Sequence, residues 1–190
     1  MTDLIDGEGW HRGARRIESQ NFDDRPSGCE PELLVVHSIS LPPGRFGTGA
    51  IEALFCNRLD CTAHAYYAGL EGLRVSAHFL IDRLGGLTQF VSCSCRAWHA
   101  GVSSWAGRSR CNDFSLGVEL EGTDTKAYED AQYEALVALV DALRRRYATL
   151  SAASIVGHSD IAPGRKTDPG PGFSWSRLRS DLRRRNSASC

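Results

Sequence analysis

A loop rich in proline and glycine near the end of the chain carries a histidine, a lysine and a carboxylate. His158 follows a short apolar run, and Lys166 and Asp168 come later in the same loop. A second histidine, His37, ends another apolar run. Loops of this composition usually carry function rather than core packing. Two histidines at strand ends and a loop aspartate predict a zinc site with three protein ligands and a fourth position open to water.

Each proposed ligand also has a purely structural interpretation. A single histidine after an apolar strand, such as His37, is more often a hydrogen-bonded core group than a metal ligand. Asp168 could simply cap the turn that contains it. Three further histidines compete as ligands, and sequence spacing does not rank them: His64, His78 and His99.

Two acidic residues alternate along a predicted strand among apolar neighbours. Strand periodicity places Glu119 and Glu121 on one face of residues 115–121. One of them could take a proton from an attacking water and pass it to a leaving amine, as a general base and then acid. The alternative is a solvated strand face, with Glu121 anchoring the turn that follows. Lys166 could stabilise an oxyanion, or it could be an exposed loop lysine.

Three further residues are candidates for substrate binding. Trp98 lies beside a histidine and a glycine turn and could form a wall for a sugar or a peptide, although core packing explains it equally well. Arg74 and Arg110 could clamp a substrate carboxylate, because the guanidinium fork matches that geometry. Ordinary surface or structural arginines are the alternative.

Composition restricts the class of protein. The chain has 190 residues, a length suited to one domain with a single core, and we assign residues 1–190 to one domain. Net charge is −1, which gives no overall drive towards nucleic acid or acidic membranes, and no apolar run approaches the length of a membrane span. The N-terminus does not resemble a secretory signal, and the seven cysteines are an odd number. These features predict a cytoplasmic protein with free thiols.

Hydrophobic periodicity predicts an α/β domain with a mixed central sheet flanked by helices. We expect the N-terminal 30 residues to lie over the surface and residues 186–190 to form a tail. Residues 77–82 and 86–92 should form a hairpin. The clearest helix covers residues 130–147, with one apolar face and arginines in its last turn. The other predicted elements are strands at 33–37, 115–121 and 154–157 and helices at 50–57 and 175–185.

Six segments in combination resemble a known enzyme family. They are Leu34–His37 with Ile39–Gly44, Leu73–His78, Arg96–Ser104, Arg110–Ser115, Glu119–Asp124 and Gly157–Pro171. Each segment alone is a weak signal, whereas together they span nearly the whole chain. The chain resembles the zinc-dependent N-acetylmuramoyl-L-alanine amidases, and within them the AmpD-type branch that acts on 1,6-anhydro-muropeptides in the cytoplasm of Gram-negative bacteria.

The resemblance implies a fold similar to that of peptidoglycan recognition proteins and one zinc ion held by His37, His158 and Asp168. It assigns catalysis to Glu119 and Lys166. The implied reaction cleaves the lactyl–L-alanine amide of an anhydromuropeptide during peptidoglycan recycling. In this branch, loss of the enzyme often raises inducible β-lactamase.

One residue departs from the family pattern, and one alternative function remains. Ser38 follows the first ligand, where the family is expected to have asparagine, and this change affects substrate affinity more than chemistry. Relatives on this fold that lack the metal only bind wall fragments, so a non-catalytic muropeptide-binding module is the alternative. No long heptad or apolar stripe suggests an obligate partner, and we predict a monomer whose partner is the small-molecule substrate.

Overall fold

A six-stranded mixed sheet forms the centre of the protein, for which the computed structural model describes residues 3–188. The strands are β1 (Arg15–Arg16), β2 (Phe22–Asp24), β3 (Leu33–Ile39), β4 (Phe79–Ile81), β5 (Leu87–Gln89), β6 (Cys95–Ala97), β7 (Ser104–Trp105), β8 (Arg108–Ser109), β9 (Ser115–Glu121) and β10 (Ile155–Gly157). The helices are α1 (Ala50–Phe55), α2 (Ala65–Ala68), α3 (Asp130–Arg146), α4 (His158–Ile161) and α5 (Trp175–Ala188).

The order of strands in the central sheet is β1-β5-β4-β9-β3-β10. Strands β4 and β5 form the predicted antiparallel hairpin, while the other neighbours in the sheet are parallel. Strands β3 and β9 lie at the centre and pair along seven residues. Both are buried over most or all of their length because interior parallel strands are covered on both faces.

One face of the sheet, the helical face, packs against α3 and α5. Alternate side chains of the two central strands contribute to this core, including Leu34, Val36, Leu116 and Val118. The apolar side of α3 meets them through Tyr133, Leu136, Val137, Val140 and Leu143, as its helical spacing predicts. The helix begins where the Gln132 side chain accepts a hydrogen bond from the Glu129 N–H at 3.1 Å.

The opposite face of the sheet, the loop face, is covered by loops and by the short helices α1 and α4. Two smaller apolar clusters pack here. One places Leu33 and Val35 of β3 against Phe114 and Ile161. The other packs Leu80 and Phe90 of the hairpin against α1. Between these clusters the loop face is polar, and this is where the candidate functional residues lie.

Both ends of the described chain are more ordered than the sequence suggested. The N-terminal segment does not only lie over the surface, because β1 pairs with β5, β2 pairs with β6 and Ile5 is buried in the main core. The predicted tail is helical for residues 186–188, since α5 continues to Ala188, and residues 189 and 190 lie outside the described part. Strands of two or three residues are too short to show a periodicity in sequence, which is why β1 and β2 were missed.

None of the helices described between residues 3 and 188 is long and apolar enough to cross a membrane.

Candidate metal centre and catalytic site

Three side chains converge where the parallel strands β3 and β10 end. His37 lies on β3, His158 begins α4 directly after β10, and Asp168 lies in the loop that follows. The two Nδ1 atoms are 3.0 Å apart. Each of them lies close to Asp168 Oδ2, at 3.2 Å from His37 and 3.1 Å from His158. The carboxyl ends of neighbouring parallel strands meet at one edge, so the topology brings together residues that are more than a hundred positions apart.

The donor set fits a zinc ion. Ligand atoms bound at about 2.0–2.1 Å with tetrahedral angles lie about 3.3 Å apart, close to the distances seen here. Both imidazoles are buried, and the Asp168 side chain is 14% exposed. All three residues line a cavity of about 450 Å³, which leaves a side of the group open to a small molecule. Two nitrogens and one carboxylate oxygen with an open side are typical of a catalytic zinc centre.

Protonation also favours metal binding. Burial lowers the pKa of His37 to about 4, although the hydrogen bond to the Asp168 carboxylate opposes this. Burial acts to raise the pKa of Asp168, but its hydrogen bonds with His158 and His37 prevail and hold that pKa well below its ordinary value. At neutral pH the site therefore presents a neutral His37 imidazole and a carboxylate, the forms that bind metal ions.

The outer nitrogens of the two ligand histidines are also held. His37 Nε2 lies 2.9 Å from His99 Nδ1. His158 Nε2 lies 3.1 Å from the Ala100 carbonyl oxygen, to which it can only donate. That donation leaves the lone pair of His158 Nδ1 directed at the site.

The Asp168 loop is fixed by contacts with the turn after β9. The Thr167 hydroxyl donates to the Asp124 carboxylate, and the Gly172 N–H donates to the Asp124 carbonyl at 2.7 Å. The Tyr128 hydroxyl donates to the Pro169 carbonyl at 3.1 Å. These contacts hold the residues on both sides of Asp168 and thereby position its carboxylate.

Glu119 lies beside the ligand group with one oxygen unpaired. It is opposite His37 in the register of β3 and β9, and both side chains project from the loop face. Its Oε2 atom is buried and has no hydrogen-bond partner among the described residues. Burial, and secondly the charge of Asp168, raises the pKa of Glu119 well above its ordinary value, while Lys166 acts in the other direction. A buried carboxyl group without a partner is costly, and such groups concentrate at functional sites.

Glu121 differs from Glu119 although it lies two residues away on the same strand. Its Oε1 accepts from the Gly47 N–H at 2.6 Å, and its Oε2 accepts from the Arg83 N–H at 3.4 Å. Both glutamates are buried, so the solvated-face interpretation is wrong for each. Glu121 anchors the loop before α1 and the hairpin, and not the turn after β9 that the sequence suggested.

The remaining predicted residues divide into two groups. Ser38, Trp98 and Lys166 line the same cavity as the ligand group. The Trp98 indole also donates to the Asp23 carboxylate at 3.2 Å, which fixes its ring. Arg74 and Arg110 are exposed and do not line the cavity, and their role in substrate binding stays a prediction.

The competing histidines occupy other positions. His64 is exposed and caps α2 by accepting from the Tyr66 N–H at 3.0 Å. His78 is fully buried and accepts from the Gly117 N–H at 3.0 Å. His99 contacts His37 from behind and lies outside the group of potential ligand atoms.

Sequence reasoning missed the residues that support the ligands. The Asn112 side chain, the Ala100 carbonyl and Arg165 all hold this region, as their hydrogen bonds show. Asn112 could have been noticed as a polar residue in a short segment between an arginine and a strand. Nothing in the sequence identifies a backbone carbonyl as a partner of His158.

The fold and the site together define a class of protein. A mixed α/β domain that holds two histidines and an aspartate beside a buried carboxyl group, in an open cavity, has the constellation of a metal-dependent hydrolase.

Comparison with known proteins gives the family. The model of the N-acetylmuramoyl-L-alanine amidase family matches residues 27–171, and the chain belongs to this family. The 1,6-anhydro-N-acetylmuramyl-L-alanine amidase AmpD of Citrobacter freundii is 58% identical over 177 residues, which cover 93% of this chain and 94% of the relative.

Solved structures agree with this assignment. A crystal structure of a selenomethionine AmpD derivative superposes with a TM-score of 0.91 at 57% identity, covering 94% of this chain and 99% of that one. The amidase AmiD of E. coli, in complex with its substrate anhydro-N-acetylmuramic acid-L-Ala-D-γ-Glu-L-Lys, has a TM-score of 0.60 at 27% identity. This superposition covers 94% of this chain and 65% of the AmiD chain. The predicted family resemblance and the predicted mixed α/β fold are confirmed.

Proposed function

We propose that the protein is a zinc-dependent amidase that hydrolyses the bond between the lactyl group of 1,6-anhydro-N-acetylmuramic acid and L-alanine. The observation that carries the proposal is the convergence of His37, His158 and Asp168 beside the unpaired Glu119 carboxyl group. It occurs in a chain that is 58% identical to a relative named for this activity. Such an enzyme would act in the cytoplasm as a monomer and serve peptidoglycan recycling. An effect of its loss on inducible β-lactamase stays a prediction.

His37, His158 and Asp168 would hold the metal. One zinc ion bound there supplies Lewis-acid polarisation of the lactyl carbonyl and lowers the pKa of water. The protein contributes ligands that are already assembled, because the three donor atoms lie within 3.0–3.2 Å of one another. Little reorganisation is then needed to form the site.

Glu119 acts first as a base and then as an acid. It accepts a proton from the water that attacks the lactyl carbonyl carbon. The carbon–nitrogen bond then breaks, and Glu119 returns the proton to the departing alanine nitrogen. The products are a sugar carboxylic acid and a free peptide, and no covalent enzyme intermediate forms. Glu119 must be ionised to accept the proton, which burial opposes and the positive charge of Lys166 favours.

Lys166 stabilises the oxyanion that develops on the carbonyl oxygen. It lines the site cavity, and its charge acts on the pKa values of both His37 and Glu119. Lys166 is exposed in this structure, and a cation near developing negative charge stabilises a transition state by a few kcal/mol once bound substrate keeps bulk water away from it. Trp98 and Ser38 border the same cavity and would contact the substrate.

The test is mass spectrometry of an anhydromuropeptide digest. The protein is used as purified, after removal of metal by a chelator, and after zinc is restored. We expect free peptide and anhydromuramic acid, lost on metal removal and regained with zinc. Binding of the muropeptide without cleavage in all three conditions would instead establish a recognition module. Cleavage that survives complete metal removal would contradict the zinc requirement.

A further inference from the structure

Two consecutive residues, His99 and Ala100, lie behind both ligand histidines. The His99 ring contacts His37 Nε2 through its Nδ1 at 2.9 Å. The Ala100 carbonyl oxygen lies 3.1 Å from His158 Nε2. A displacement of this short segment would therefore move the outer partners of both imidazoles together.

The Asn112 side chain fixes the segment. Its Oδ1 accepts hydrogen bonds from the N–H groups of His99, at 3.2 Å, and Ala100, at 2.8 Å. Arg25 holds Asn112 in turn by donating to its main-chain carbonyl oxygen at 3.2 Å. Arg165 donates to the Ala100 carbonyl at 2.6 Å, so that this oxygen is held from a second direction.

Metal binding through His37 Nδ1 would fix the tautomers along this chain of hydrogen bonds. A neutral His37 that binds metal through Nδ1 carries its proton on Nε2 and donates it to His99 Nδ1. His99 Nδ1 must then be an acceptor, so its own proton lies on Nε2, which is 3.2 Å from the Ser115 hydroxyl. Gly117 makes room for this ring, because a Cβ atom there would lie 2.5 Å from His99 Cγ.

We propose that His99, Ala100 and Asn112 form the outer support of the metal site, orienting both ligand imidazoles and fixing the proton of His37 on Nε2. The inference rests on the proposed zinc function and adds positioning residues to it. Outer partners of metal-bound histidines typically change metal affinity about 10- to 100-fold when they are removed. Asn112 is the most informative member, since it touches neither ligand.

The first experiment measures the zinc dissociation constant by competition with a chromophoric chelator. Asn112→Leu removes the acceptor while keeping a branched side chain of four heavy atoms, whereas Asn112→Asp keeps an oxygen acceptor. We expect affinity to fall about 10- to 100-fold in the leucine variant and to return to within a few-fold of wild type in the aspartate variant.

A matched control separates this effect from a general loss of stability. Asn21 is also buried, and its side-chain amide donates to Phe55, Asn57 and Val75 rather than to either ligand or the supporting segment. Asn21→Leu should lower the thermal midpoint and leave zinc affinity unchanged. Equal weakening of zinc binding in Asn21→Leu and Asn112→Leu would refute the proposal, as would wild-type affinity in Asn112→Leu.

A second experiment does not depend on catalysis. Nitrogen-15 NMR of the zinc-bound protein detects the Nε2–H proton of His37 and measures how fast it exchanges with solvent. We expect slow exchange in wild type, where His99 Nδ1 accepts this proton, and faster exchange in His99→Phe, which keeps an aromatic ring over Gly117 but has no acceptor. Equally slow exchange in a folded, zinc-bound His99→Phe protein would contradict the role of His99.

The wild-type results distinguish the two proposals. A wild-type protein that binds zinc tightly but cleaves no muropeptide would refute the proposed function and leave the outer support testable by zinc affinity. A wild-type protein that binds no zinc would refute both.

Discussion

The two faces of the central sheet are built on different principles. On the helical face, β9 contributes Leu116, Val118 and Leu120 to a continuous apolar core under α3 and α5. On the loop face, the alternate residues of the same strand include Gly117 and Glu119, which serve the candidate site. The same seven-residue strand thus packs against the helices on one side and carries site residues on the other.

The difference shows where each kind of interaction originates. Helical-face contacts repeat along regular elements, so many residues share the stabilisation and each substitution has a local cost. Around the candidate site, between the two apolar clusters of the loop face, the contacts are hydrogen bonds between individual groups, such as that from the Ala100 N–H to Asn112 Oδ1. We therefore expect substitutions on the helical face to change stability and substitutions on the loop face to change chemistry.

The largest effect is expected for the third ligand. Asp168→Ala leaves two imidazoles without the carboxylate, so zinc binding and hydrolysis should both fall to background. Metal content by mass spectrometry and digestion of anhydromuropeptide measure the two outcomes. Asp24→Ala, on an exposed position of β2, is the control and should keep zinc. A full zinc complement in Asp168→Ala would refute the ligand set.

The next effect separates two glutamates on one strand. Glu119→Gln should keep zinc but lower turnover about 10²- to 10⁴-fold, because the amide cannot accept the proton. Glu121→Gln should keep near wild-type turnover, since its side-chain oxygen still accepts from the Gly47 N–H. Single-turnover kinetics of both variants test the pair. Near wild-type turnover in Glu119→Gln would remove Glu119 from its role.

On the helical face the expected change is in stability alone. Leu136 is fully buried against the sheet, and Leu136→Ala should lower the free energy of unfolding by about 2–5 kcal/mol. Turnover per folded molecule should be unchanged well below the melting temperature. Leu84→Ala is the control, because that side chain is 89% exposed. A loss of turnover in folded Leu136→Ala would contradict the expectation that substitutions on the helical face change stability alone.

The smallest effect is a pH dependence of the metal-free protein. Burial raises the pKa of Glu119 well above 4.5, so the folded state favours the protonated form. The stability that Glu119 contributes is present below pH 4.5 and is lost as pH rises through the folded pKa. Glu119→Gln cannot ionise, and its thermal midpoint should rise relative to wild type as pH increases. If the thermal midpoints of the two proteins change in parallel as pH rises above 4.5, the raised pKa of Glu119 is contradicted.

More of the helical face than of the loop face could be predicted from the sequence. The bounds of β9 and the apolar side of α3 follow from periodicity, which residues such as Leu136 and Val140 carry in sequence. The ligand residues His37 and His158 were predicted as a pair because each ends an apolar run. Asp168 was predicted as the third ligand from its place in the loop rich in proline and glycine, and the structure gives the distances of its Oδ2 atom from the two Nδ1 atoms, 3.2 and 3.1 Å.

Other features of the site could not be predicted because no local signal encodes them. The partner of His158 is a backbone carbonyl, which any residue could supply. His99 was a competing ligand in sequence, and only its distance from His37 assigns it a place behind the metal site. The exposure of Arg74 depends on how a loop turns, which composition does not report.

Gly117 shows what this arrangement means for protein engineering. Redesign for strand propensity would replace this buried, central β-strand glycine with valine or isoleucine, and standard propensities would predict a gain. The added Cβ would occupy the space of the His99 ring, 2.5 Å from its Cγ. In such a redesigned sheet the His99 ring would lose its space beside the site. Position 117 should therefore be held fixed in any stabilised version of this enzyme.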